Sequence, residues 1–336
     1  MRDKSFVDTL DSIRAPALRY FVQNSWIKRT LRSRVLRIEA IAIASILGAL
    51  VMTLYCPSFL FIWGPLCLGM PHLLADLRYL VFSPRMAPLY RPADIVVFAL
   101  LALTLVSSSS AAGALAVWGS VVLCLFAPAD VRSRQNRHVV LFRLAAVILA
   151  SLMCLAALRF PAMFQFALVH AHNLVALIIF AVAFAHDRTR WTVPLMILGV
   201  CVAVISGCFD TQLRALSIQS LAGFLWPAAV QVNWSEAFIA RACALFVLLQ
   251  SIHYTIWLRL IPEQARPGVG TRSFRSSWKA LHADVGSAWI WLTLIFMLGF
   301  FAMGLVHWQT SRSLYLRVAS FHAYLELVFL AKWLLK

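Results

Sequence analysis

The chain has 336 residues, of which 62% are hydrophobic and 13% charged, with a mean hydropathy of +0.82 and a formal net charge of +17. That composition excludes a soluble domain, alone or as a separate unit, and predicts an all-α fold, a polytopic membrane helical bundle. It also gives no support to nucleic-acid binding, because Lys and Arg lie in short loops and an N-terminal arm, where positive charge sets orientation in a membrane.

Residues 1–35 form a basic arm, too charged for a secretory signal. In FVQNSWIKRTLRSRVLRI, Val22, Trp26, Ile27, Leu31 and Val35 share one helical face beside Lys28, Arg29, Arg32, Arg34 and Arg37. The pattern suits a helix lying on anionic membrane lipids. Residues 36–336 then read as a single transmembrane domain, with spans near 38–56, 58–82, 94–110, 112–127, 139–158, 162–185, 192–208, 237–261, 285–306 and 314–334. The third and fourth are short, and serines 107–110 with Gly113 suggest a broken hairpin.

Basic loops accumulate on the cytoplasmic side of a membrane. The arm, SPRMAPLYRP, DVRSRQNRH, DRTRW and RPGVGTRSFRSSWKALH share that side only if the segment near 214–234, with Gln219, Gly223, Pro227 and Gln231, does not cross. It reads as a re-entrant or interfacial piece, leaving about ten spans and both termini cytoplasmic. The seven cysteines include no CxxC pair, and they read as small core residues.

The nine histidines divide by depth. His138, His186, His282 and His307 fall in loops or at helix ends. His72, His170, His172, His253 and His322 lie inside four spans, within a central slab under ~10 Å thick at the helical rise. An ionisable group in hydrocarbon is by default a functional candidate. His170 and His172 are two apart, so only one faces a common centre, and we prefer His172 with Asn173 beside it.

Two carboxylates follow their histidines by four: Asp76 after His72 and Glu326 after His322. Each is placed to receive a ring N–H and leave the other nitrogen for a metal, on its own helix or the next. A rival reading pairs Asp76 with Arg78, although Arg78 is also positioned to snorkel to headgroups. Gln250 and Trp257 flank His253 on its own face, and Tyr254 points away into packing.

Four imidazoles without thiolate suit iron or copper, and a metal at that depth meets apolar molecules and dioxygen. The stretch GMPHLLAD resembles the G-x-P-H-x-x-x-D motif of the Brp/Blh family of bacterial membrane β-carotene 15,15′-dioxygenases, and the order of LVHAHN, SIHYTIW and SFHAYLE is similar to that family's later histidine helices. Leu73 stands where the family has glycine. The resemblance implies a bacterial inner-membrane helical protein with histidine-bound Fe(II), using dioxygen to cleave a carotenoid centrally to retinal. It implies His72 as ligand with Asp76 behind it, and His172, His253 and His322 as the others. Two alternatives stay open: a bis-histidine haem b electron carrier and a proton-coupled transporter.

Overall fold

The computed structural model describes residues 6–82, 92–106, 109–126, 137–225, 234–266 and 273–333, and every regular element among them is a helix. Most of the basic loops SPRMAPLYRP and DVRSRQNRH, and residues 226–233 of the expected re-entrant piece, lie outside the described residues. Six helices are long and apolar enough to cross a membrane, consistent with a membrane protein.

The arm folds as α1 (Phe6–Phe21) and α2 (Ser25–Arg32), ahead of α3 (Arg34–Tyr55). The single helix expected through Val22–Val35 is broken twice. The Asn24 side chain accepts bonds from the backbone N–H groups of Trp26 and Ile27 at 2.9 and 3.2 Å, and Ser33 caps α3 through Leu36 N–H. Short polar side chains that bond their own backbone compete with the helical ladder and win at such points. Arg37, counted from sequence among the leaflet-facing cations, is instead buried against Glu263, with Nε donating at 2.7 Å.

The remaining elements are α4 (Pro57–Phe82), α5 (Pro92–Val106), α6 (Ser110–Phe126), α7 (Arg137–Arg159), α8 (Pro161–Phe184) and α9 (Thr189–Ile205). After these come α10 (Asp210–Ala215), α11 (Glu236–Ala265), α12 (Phe274–Val285), α13 (Ser287–Val306) and α14 (Trp308–Trp333). The helices α5 and α6 pack side by side as a hairpin and also cover α14. Up to residue 225 the expected non-crossing segment is a set of short helical turns, none long enough to cross, with Ile218, Leu221 and Ala222 buried.

Burial sorts the long helices by position. In the most apolar stretch of α11, 61% of residues are buried, against none in α13, so α11 is central and α13 peripheral. Leu144, Ile148, Leu152 and Leu155 on α7 and Ile295, Phe296 and Leu298 on α13 are exposed, an apolar exterior suited to lipid and not to water. Of the cysteines, Cys154, Cys201 and Cys243 are buried as expected, whereas Cys56, Cys67 and Cys208 are exposed; all six are free thiols.

The basic loop after α11 contains an element the sequence reading missed. The helix α12 starts at the Ser273 cap, and Asp11 of α1 accepts its first backbone N–H groups, from Phe274 and Arg275, at 2.8 and 3.0 Å. Gly286, at φ +83°, ends α12 and turns the chain into α13, in a backbone region that other residues rarely enter.

Candidate metal centre

Four helices, α4, α8, α11 and α14, bring His72, His172, His253 and His322 into one cluster. Ring centroids lie 4.7 Å apart for His72 and His322, 5.3 Å for His72 and His253, and 5.6 Å for His253 and His322. His172 stands at 5.3 Å from His253 and 5.6 Å from His322. His72, His253 and His322 are at most 2% exposed, and the Nε2 atoms of His72 and His322 approach to 3.2 Å. His172 is one step out from this trio. Its Nδ1 lies 3.3 Å from the Leu168 carbonyl, a contact that makes Nδ1 the protonated nitrogen and leaves Nε2 as the free donor.

Local sequence explains how α4 delivers His72. Pro65 and Pro71 remove two backbone donors, and the helix widens into π turns at Gly64–Gly69 and Leu77–Phe82, on either side of Met70–Asp76. Gly69 serves contact: a Cβ there would stand 2.4 Å from the Tyr315 ring. That close approach lets the Tyr315 hydroxyl sit 3.0 Å from the Tyr254 hydroxyl. The Tyr254 ring lies 4.8 Å from His72, so Tyr254 belongs to the site and is not the remote packing residue expected.

The carboxylates are placed across helices, not along them. Glu326 Oε1 is 3.7 Å from His253 Nε2, and Asp76 Oδ2 is 4.0 Å from His322 Nε2. Both residues are fully buried. Trp257 Nε1 donates to Glu326 Oε1 at 2.6 Å, while Glu326 Oε2 and both Asp76 oxygens have no hydrogen-bond partner. Among the described residues neither carboxylate pairs with Lys or Arg. Arg78, the rival partner for Asp76, donates instead to Asp284 on α12 at 2.8 Å.

If both were ionised, the two carboxylates would place unpaired negative charge in a buried site, which is strongly disfavoured; protonation or a cation neutralises them, and a divalent cation is a partner the imidazoles can also hold. Three imidazole donors, on His72, His253 and His322, already lie within 4.8 Å of one another. The donor set therefore fits an ion, and imidazole with carboxylate is a donor set common to iron and other first-row metals.

Above the cluster is a cavity of about 340 Å³, within the range of small-ligand sites. His72, His172, His253 and His322 line its floor, and Phe61, Leu66, Phe246 and Trp308 its apolar walls. All four wall residues precede the histidine of their own helix or lie at its start, so the cavity rises from the histidines toward the N-terminal ends of these helices. The carboxylates lie on the opposite side, one turn below.

The other sequence candidates separate clearly. Gln250 and Asn173 line the cavity, and Asn173 Nδ2 donates to the Val169 carbonyl at 3.1 Å. His170 points away and stacks on Phe166 at 4.8 Å and Phe246 at 6.0 Å. Tyr315, Tyr324 and Arg317 also line the cavity and were missed in sequence. No family model, curated protein or solved structure matches this chain.

Proposed function

We propose that this protein is a multi-pass membrane oxygenase that holds ferrous iron on His72, His172, His253 and His322 and acts on a carotenoid or other long apolar lipid. One observation carries the reading: four imidazoles meet at the floor of a largely apolar cavity, with two buried carboxylates one turn below, inside a lipid-compatible bundle. It agrees with the resemblance of GMPHLLAD to the Brp/Blh motif. Bound iron would supply dioxygen binding and activation. In oxidative cleavage both oxygen atoms enter the product: the C=C bond breaks, each carbon becomes a carbonyl, and no outside reductant is consumed.

The chain's own residues supply the rest. Phe61, Leu66, Phe246 and Trp308 hold an apolar chain over the histidines and exclude water. Tyr254, its hydroxyl bonded to Tyr315 and its ring against His72, fixes one wall of the floor. A haem reading fares worse, because a macrocycle needs a flat slot between two axial rings, and these rings pack edge to face at 4.7–5.6 Å.

The parity of the helices agrees with ten crossings and with both termini on one side of the membrane. His253 neighbours His322, and four residues on Trp257 bonds Glu326, so α11 and α14 run parallel. Asp76 and Glu326 group with His322, which makes α4 parallel to both. Parallel α4, α11 and α14 are satisfied if α3 to α9, α11, α13 and α14 each cross once while α10 and α12 stay at the surface.

The test is expression in carotenoid-producing cells, with iron measured in the purified protein. Loss of orange colour, appearance of aldehyde products and at least one iron per chain are expected. Iron-free protein that still cleaves would overturn the proposal, as would iron-loaded protein that leaves every polyene intact while a Soret band appears.

A further inference from the structure

Four imidazoles and two carboxylates would fill all six positions of one octahedral first-row metal and leave none open for dioxygen. If the carboxylates served only to orient imidazoles, each would accept a hydrogen bond from the outward ring nitrogen. They do not. Asp76 and Glu326 approach the Nε2 atoms, and Nε2 of His322 is also the atom that faces His72.

The donors fall into two overlapping triads. One is His72, His253 and His322; the other is Asp76, His322 and Glu326, and within each the ligand atoms lie inside 4.8 Å. Bond lengths of ~2.0–2.2 Å to a single ion allow up to ~4.4 Å between donors, so each triad closes on an ion with shifts of a few tenths of an ångström. His322 belongs to both groups, so the two positions are adjacent, as in two-metal sites with ions ~3.5–4 Å apart; its single Nε2 lone pair serves one ion only, and the carboxylate position takes it, leaving His72, His172 and His253 for the other. Trp257 holds Glu326 from behind, leaving Oε2 free.

We propose that Asp76, Glu326 and His322 form a second divalent-metal position, so that the centre binds two first-row ions rather than one. This rests on reading the imidazole cluster as a metal centre. The first ion sits toward the cavity on His72, His172 and His253, and the second sits one turn below on His322 with the carboxylates. Two divalent ions exceed the two carboxylate charges, so small anions from solvent complete the site.

The experiment is an anaerobic titration of the metal-stripped, full-length protein in detergent with ferrous iron. Bound metal is read by elemental analysis after gel filtration. Two equivalents per chain are expected for the native sequence, and about one for Asp76→Asn with Glu326→Gln, which keep side-chain volume. One equivalent in the native protein, or two in the double variant, overturns the second position and leaves the iron reading standing. No retained metal overturns both. Should the double variant not fold, native protein loaded with manganese gives a second arm: an exchange-coupled pair signal is expected, and an isolated-ion spectrum alone overturns the proposal.

Discussion

At the scale of single residues, Trp257 tests what holds Glu326 in place. Its indole N–H reaches the buried carboxylate at 2.6 Å. Replacement by Phe keeps the ring and removes that donor, at a cost of about 1.5–3 kcal/mol for a bond to a charged group. We expect Trp257→Phe to weaken metal binding by ~10–100-fold, the usual effect of losing a partner behind a ligand, as measured by competition with a chelator. His170 and His172 give a paired test. His172→Ala should lower metal affinity at least as much, whereas His170→Ala, which loses stacking on Phe166 and Phe246, should retain full metal content. The five intramembrane histidines and two carboxylates were legible because polar residues stand out in an apolar run. Tyr254 was not: it neighbours His253 in sequence, about 100° around the helix, and its contacts with His72 and Tyr315, on two other helices, give it a place at the site.

At the scale of elements, the site depends on α4 and α14 packing closely at Gly69. A methyl group there would meet the Tyr315 ring at 2.4 Å. Gly69→Ala should therefore destabilise the protein by about 1–3 kcal/mol through overpacking. Adding Tyr315→Leu should restore part of the loss in thermal unfolding. The same logic applies to Gly113, whose added Cβ would come within 2.4 Å of Tyr324. Sequence displayed the long apolar elements well, since hydropathy is a property of each segment alone. It hid α12, an amphipathic helix of 12 residues in a basic loop, and with it the destination of Arg78. The Arg78–Asp284 pair is partly exposed, at 13% and 26%, so Asp284→Asn should cost no more than about 1 kcal/mol in chemical unfolding.

At the scale of the whole molecule, the N-terminal arm is clasped to the loop before α13 through Asp11 and α12. The backbone N–H groups of Arg275 and Phe274 hold the Asp11 carboxyl below its ordinary value. A lowered folded value means that the contact contributes fully above the free carboxyl's pKa of about 4 and is lost as pH falls through the lower folded one. Protection of α1 against hydrogen exchange, taken relative to the intrinsic rate at each pH, should hold from neutral pH down to about 4 and fall below it, and Asp11→Ala should lower it at neutral pH. The convergence of α4, α8, α11 and α14 was readable from sequence as a shared depth of histidines, but which carboxylate would serve which imidazole was not. That choice is made between helices, where Asp76 turns to His322 and Glu326 to His253. X-ray absorption at the edge of the metal that copurifies is the most direct test of this arrangement. The account predicts a shell of nitrogen and oxygen near ~2.0–2.2 Å with the outer scattering of several imidazoles. A sulfur shell, or a metal surrounded by oxygen without imidazole scattering, would contradict it.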